Sequence, residues 1–327
     1  MRLPILLMAL MCALALESAS SMEPVAADDP LSPVLEIHAT RPWKIAFVTK
    51  AEEGGNSYPL RLVRGARQAG TDFGVTIAVM SPRLERYDVS LQVNLVDQLA
   101  QSDIDGLVLV PIDSNLLVEP VERVIASGKP VVILDTPLNS NAVLTQLSFD
   151  NQRAGRLAAQ WVISRLKGRG KVLILSGQED GQNAIERRNG FLDALADSEI
   201  EVLDMQSANW LRVQAEQITQ DWIGRFPRID AILAANDTMA LGAADALARA
   251  GREGILITGV DANPEALDAV RSGRMQVTIE QSPEAQARTA VQLLVRHLER
   301  GDTYPPRLVW RDIPLIDHDT LVPARDD

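Results

Sequence analysis

The chain has 327 residues, a formal net charge of −12, three histidines and a single cysteine. So acidic a chain, with no local basic stripe, does not hold a nucleic-acid backbone, and one cysteine excludes an intramolecular disulfide framework. Past its first apolar stretch about 300 residues remain, enough for two domains that each bury a core.

Arg2 opens the chain, an apolar run extends from Leu3 to Leu16, and the small residues Ser18, Ala19 and Ser20 follow. A basic start, a short apolar core and a small-residue exit describe a secretory signal too short to be a comfortable membrane span. Residues 1–20 are therefore read as a signal peptide cleaved after Ser20, with Ala27 as the later alternative. Cys12 lies inside the apolar core and follows Met11, where lipid attachment would require a small residue. With the signal removed the chain has no thiol, which suits an oxidising compartment. Residues 21–42, rich in Ser, Pro, Ala and Asp and without periodicity, read as a flexible leader. No other stretch is apolar enough, for long enough, to cross a membrane.

Strand-like and helix-like segments then alternate. KIAFVT precedes a helix around Leu60 to Ala69; VTIAVM, a helix near Val89 to Ala100, GLVLVPI, a helix from Val118 to Ala126 and PVVILDT follow. After Asp150 the rhythm resumes with a helix from Arg153 to Leu166, KVLILSG, a helix from Ala184 to Ala196, EVLDMQ and a helix around Gln214 to Ile223. DAILAAND, a helix from Met239 to Ala250, GILITGVD, a helix from Pro264 to Val270, MQVTIEQ and a helix from Glu284 to Leu298 complete it. Repeated βα units predict parallel sheets with helices on both faces, and so many strands predict two lobes instead of one sheet.

Four of these strands end in polar residues: Asp135 after PVVILDT's apolar run, Asn236, Asp261 and Gln281. Ligands of open α/β sheets bind at the carboxyl ends of the strands. Carboxylates and amides gathered there suit a neutral, hydroxyl-rich molecule, a sugar or polyol. His38, His297 and His318 are scattered singly, and no cofactor or metal is implied. No phosphate-binding Gly-rich loop, G-x-S-x-G turn or metal-ligand cluster points to an enzyme. Asp135 and Asp261 could imitate a glycosidase pair, but the Asn, Gln and Arg around them suit binding.

The order and spacing of NDTMALGAADAL from Asn236, TGVDANPEALDAV from Thr258, VTIEQSPEAQA from Val277, ERRNGFLDAL from Glu186 and FDNQRAGRLAA from Phe149 are familiar. From about Lys44 to about Pro314 the chain resembles the bacterial periplasmic sugar-binding proteins of the ribose-binding type, whose fold is shared with the ligand domains of LacI-type repressors. The resemblance implies a type I periplasmic-binding-protein architecture: two doubly wound α/β parallel-sheet lobes joined by three crossover strands. The crossovers are expected near Ser148 to Asn151, Glu280 to Ser282 and Leu308 to Arg311. Residues 43–149 with 282–309 would form the N-terminal lobe, and 150–281 with 310–323 the C-terminal lobe. Location in the periplasm is implied with it.

Residue by residue, the resemblance places Asp135, Arg187, Asn236, Asp261 and Gln281 in hydrogen bonds with the ligand. It leaves Asp237 to cap the next helix. Trp210 and Tyr58 match aromatic clamps for the apolar C–H face of a sugar, and Asn56 matches a polar cleft residue in a lengthened first loop. The chain departs from the ribose pattern at Thr136, where an arginine follows the strand-four Asp, and at Pro59, where a second stacked aromatic stands. Unless the ligand or Glu52, Glu53 and the longer loop compensate for that arginine, ribose is not carried over; another pentose, a hexose, a polyol or an inositol is equally open. The implied partner is an ABC-type permease, or alternatively a membrane histidine kinase or chemoreceptor, approached by a monomer. A LacI-type regulator would need an N-terminal helix-turn-helix, which the signal-like stretch replaces.

Overall fold

The computed structural model describes residue 31 and residues 37–50, 57–82 and 89–322. Asn56, Glu52, Glu53, Cys12 and the signal stretch lie outside the described residues. From the amino end, β1 (Lys44–Val48), α1 (Tyr58–Phe73), β2 (Thr76–Met80), α2 (Val89–Leu99), β3 (Gly106–Leu109), α3 (Val118–Ala126), β4 (Val131–Leu134) and β5 (Thr145–Phe149) follow one another. The second series is α4 (Asn151–Arg165), β6 (Arg169–Ser176), α5 (Gln182–Leu195), β7 (Glu199–Ser207), α6 (Arg212–Arg225), β8 (Ala231–Ala234), α7 (Asp237–Arg249), β9 (Leu256–Val260), α8 (Pro264–Arg271) and β10 (Val277–Ile279). The chain ends with α9 (Pro283–Arg300), β11 (Arg307–Trp310), β12 (Leu315–Asp317) and the short α10 (His318–Leu321).

Two six-stranded sheets result, ordered β2-β1-β3-β4-β5-β11 and β7-β6-β8-β9-β10-β12. The sheets share one winding, and in each the strand order reverses at its first strand, β1 or β6. Such a reversal opens a crevice at the carboxyl ends of the strands. β-branched runs explain the strands. In β1, Ile45 and Phe47 face one layer of helices while Ala46 and Val48 face the other, all four fully buried.

Three connections join the lobes. Asp150 links β5 to α4 and caps that helix, its carboxylate accepting from the Arg153 amide at 3.1 Å. Residues 280–282 link β10 to α9, which packs back on α1, β3 and β4. The third crossing starts later than the sequence suggests: Val309 and Trp310 still pair with Ser148 and Phe149, so the chain passes over between Arg311 and Pro314. Three strands had no clear apolar run: β5, β11 and β12. The pattern of uniformly parallel strands also has an exception, since β12 runs antiparallel to β10 at the sheet edge. A short return from a hinge can only add a strand that way.

The segment before Trp43 is not loose throughout. From Ile37, which is buried, the chain packs on the first lobe: the Ala39 amide donates to Phe73 O at 2.8 Å, and Thr40 and the Trp43 indole donate to Glu299. Among the described residues no helix is long and apolar enough to cross a membrane.

Glycines set the helix contact that carries Arg187. A Cβ on Gly155 of α4 would stand 2.2 Å from Arg187 O, and one on Gly190 of α5 would stand 2.1 Å from Gln152 O. Backbone meets backbone there, so nothing can swing aside. Gly155→Ala is expected to cost about 1–3 kcal/mol by overpacking, read as a lowered thermal midpoint by circular dichroism; an unchanged midpoint would show that α4 and α5 separate freely.

Candidate functional site

The carboxyl ends of the two sheets face each other across a cavity of about 60 Å³. Its walls include Lys50, Tyr58, Asp135, Thr136, Arg187, Trp210, Asn236, Asp261 and Gln281. Eight of the nine residues singled out from the sequence are thus brought together, and the ninth, Asn56, lies outside the described residues.

Several of these side chains are aimed by unusual backbone. Asp135 has φ 70°, Trp210 67°, Asp261 121° and Ala262 49°, all in the left-handed region that L residues avoid. Such a residue costs on the order of 1–3 kcal/mol and persists only where its surroundings over-determine it. At the ends of β4 and β9 the effect is to turn a carboxylate off the strand axis and into the cavity. The Trp210 ring lies flat enough on Gly177 that a Cβ there would meet it at 2.1 Å.

Asp135 is buried and accepts from Lys50 Nζ at 2.7 Å, Tyr58 Oη at 3.2 Å and Asn183 Nδ2 at 3.1 Å. Burial pushes its carboxyl up, but the Lys50 ammonium, the Arg187 guanidinium and the Tyr58 hydroxyl outweigh it and hold the group below its ordinary value. Burial, with the two carboxylates nearby, pushes the Tyr58 hydroxyl well above the usual tyrosine range, so it stays a neutral donor. Lys50 Nζ also donates to Thr136 Oγ1 at 2.6 Å. The cation missing at Thr136 is therefore supplied from the end of β1.

Arg187 is likewise buried. Its Nε donates to Asn151 Oδ1 at 2.8 Å and its Nη1 to Ala235 O at 2.7 Å, while Nη1 stands 3.8 Å from Asp261 Oδ1. The guanidinium carbon lies 5.5 Å from the Trp210 ring centroid, a cation–π contact. Asp261 accepts from the Gln281 amide. Burial pushes Asp261 up to about 6 against the opposing pull of Arg187, Gln281 and Arg61.

Asn236 and Asp237 do not divide their work as the resemblance implies. Asn236 is itself the cap of α7, its Oδ1 accepting from the Met239 amide at 2.9 Å, while it also lines the cavity. Asp237 points beneath, fully buried, accepting from Thr278 Oγ1 at 2.6 Å and the Asn263 amide at 2.7 Å. A first helical residue has its side chain on the core side here, and a Cβ on Gly259 would collide with it. Burial and the neighbouring Asp261 push Asp237 well above the ordinary carboxylate range.

The lobes also touch directly. Ser57 Oγ meets Asn263 Oδ1 at 2.7 Å, and Arg61 of α1 donates to Asp261 O at 2.6 Å, to Ala262 O at 3.2 Å and to Glu280 and Glu284. Lys50, Asn151, Asn183 and Arg61 were not singled out from the sequence. Lys50 could have been, since it stands directly at a strand's carboxyl end; the other three sit on helices and gain their roles only through contacts distant in sequence. Among the described residues no group of three or more His, Cys, Asp or Glu is placed to hold a metal ion.

A family model described as "Periplasmic binding protein domain" matches residues 45–303. The chain belongs to this family. It is 30% identical over 260 residues to the D-allose-binding periplasmic protein of Escherichia coli K12, covering 76% of this chain and 83% of that one. It is 36% identical over 188 residues to the xylitol-binding protein of Mycolicibacterium smegmatis, a match spanning 57% of this chain and 54% of that relative. Among solved structures, the ABC transporter periplasmic solute binding protein of Actinobacillus succinogenes 130z with bound D-allose superposes with a TM-score of 0.80 at 28% identity, over 85% of this chain and 99% of that one. Two parallel-sheet lobes flanked by helices are the shared architecture of this periplasmic binding protein and that neighbour. These relatives are binding proteins.

The raised Asp261 sets a pH dependence. A carboxyl whose folded pKa exceeds its unfolded value stabilises most below the unfolded pKa and loses that contribution as pH rises through the folded one. The window here runs from about 4 to about 6. Asp261→Asn is therefore expected to gain thermal stability relative to the unsubstituted protein as pH rises from 4 to 7 without ligand. Melting curves at the two pH values check this; a constant difference would place the charge elsewhere.

Proposed function

We propose that this protein captures a single neutral monosaccharide or polyol between its lobes and delivers it to an ABC-type importer, without chemical turnover. The observation that carries this reading is the balance of hydrogen-bonding groups in the cavity. Lys50, Arg187 and the Asn236 amide nitrogen are donors. Asp135, Asp261 and the carboxamide oxygens of Asn183 and Gln281 are acceptors. A hydroxyl both donates and accepts, so a ring or chain of hydroxyls satisfies both sets. A carboxylate or phosphate would leave the acceptors facing acceptors.

Tyr58 and Trp210 offer apolar surface for C–H faces, as saccharide sites require. Thr136 stands behind Asp135 and holds Lys50. Asn56, outside the described residues, is proposed as a further polar contact of the ligand. The cavity's size favours a monosaccharide over a longer saccharide. The names of the relatives, D-allose-binding and xylitol-binding, support the solute class. Delivery to a permease follows the description of the A. succinogenes neighbour as part of an ABC transporter. We assign the mature protein to the periplasm as a monomer, released after cleavage near Ser20, with the lobes closing about the three connections by hinge motion.

A thermal-shift screen against pentoses, hexoses, polyols and inositols tests the reading. A ligand at a hundred times its dissociation constant adds about 2.7 kcal/mol, a plain rise in midpoint. No shift with any of them, after unfolding and refolding to strip retained ligand, would overturn it. With a ligand in hand, Asp135→Ala and Arg187→Ala are each expected to weaken binding by about 2 kcal/mol or more by titration calorimetry, because each strands a buried charged partner. Unchanged affinity in either variant removes that residue from the site.

A further inference from the structure

Asn183 belongs to the first turn of α5 in the second lobe, yet its Nδ2 bonds Asp135 Oδ1 at 3.1 Å and Thr136 Oγ1 at 3.4 Å in the first. It is 8% exposed. An ionised carboxylate can only accept, so the amide must turn its nitrogen toward Asp135 and its oxygen the other way. That oxygen, Asn183 Oδ1, is buried with no partner in the protein. Among the described residues, only Asn183 and Gln281 combine a place on the cavity wall with an unpartnered buried oxygen. Gln281 was expected at the site from the sequence; Asn183 was not.

We propose that Asn183 is a specificity-determining residue of the cavity, whose Oδ1 accepts a hydrogen bond from one particular ligand hydroxyl. The inference rests on the reading of the cavity as a site for a hydroxyl-rich solute. Its geometry couples recognition to closure. Asp135 fixes the direction of the amide, and Asp135 reaches it only when the lobes meet. A ligand with a hydroxyl at this point satisfies the oxygen. One lacking it leaves a buried acceptor bare, and a site built to bond a hydroxyl discriminates strongly against its absence. A ligand with an anionic group there sets acceptor against acceptor.

The test is titration calorimetry on the full chain with the compounds that shift its midpoint in the screen above, D-ribose, D-allose and xylitol among those tried, then with the monodeoxy derivatives of whichever binds. In the unsubstituted protein one deoxy derivative is expected to bind about ten- to a hundredfold more weakly than its parent through loss of this bond. Asn183→Ala should bring that pair to nearly equal affinity while leaving the ratios for the other deoxy positions as they were. Asn183→Ser carries the same comparison if the alanine variant melts early without ligand. If Asn183→Ala instead weakens every ligand by the same factor, the residue is only a brace between the lobes and the proposal falls. If no pentose, hexose, polyol or inositol of the thermal-shift screen binds the unsubstituted protein, the sugar reading fails first and the inference falls with it.

Discussion

Burying a carboxylate is expensive unless opposite charge and hydrogen-bond donors surround it, and the arrangement of both lobes answers that demand at Asp135. Its compensation comes from separate parts of the chain. Lys50 arrives from the end of β1, Tyr58 from the start of α1, and Asn183 from the other lobe. Arg187, also from the other lobe, contributes through its charge. No single lobe assembles this set. The two halves of the molecule therefore have an electrostatic reason to meet at the cavity, in addition to any contact a ligand makes.

Asp261 is the counterpart on the second sheet, and its support is weaker. Among the described residues only Gln281 hydrogen-bonds its carboxylate, and Arg187 stands at 3.8 Å, which explains why burial dominates and pushes the group up to about 6 while Asp135 stays low. Its backbone is held instead. Arg61 grips the carbonyls of Asp261 and Ala262, and the Thr278 hydroxyl and Asp237 carboxylate hold the amides of Ala262 and Asn263. These bonds stabilise a turn with two consecutive positive φ values. The strain that aims Asp261 is thus opposed from the first lobe through Arg61 and from beneath through Asp237.

Hydrogen-bond capacity then narrows what the cavity can accept. Each carboxylate turns a neighbouring carboxamide so that its oxygen faces away, toward Asn183 Oδ1 in one case and Gln281 Oε1 in the other. The two carboxylates and the two amide oxygens they orient therefore all present acceptors. Trp210 and Tyr58 add apolar surface without changing that balance.

Much of this was legible in the chain alone. The apolar runs at Val131–Leu134, Ala231–Ala234 and Leu256–Val260 are buried strands, because a strand covered by helices on both faces has no polar side to betray its register. Their polar ends marked Asp135, Asn236 and Asp261 for the cavity because strand direction is a local property. The strands β5, β11 and β12 have no apolar run to mark them: the resemblance placed crossovers near the first two, but their pairing depends on segments far away in sequence. Nor could sequence apportion Asn236 and Asp237, since adjacent residues at a helix start are separated only by which way the helix lies on its sheet. Local pattern set the elements and the kinds of residue at their ends. Tertiary packing alone placed Lys50 against Asp135, Arg61 under Asp261 and Asn183 across the cleft, because those contacts join residues 85, 200 and 48 positions apart; the first exists only once the strands of one sheet align, the other two only once two separately wound lobes face each other.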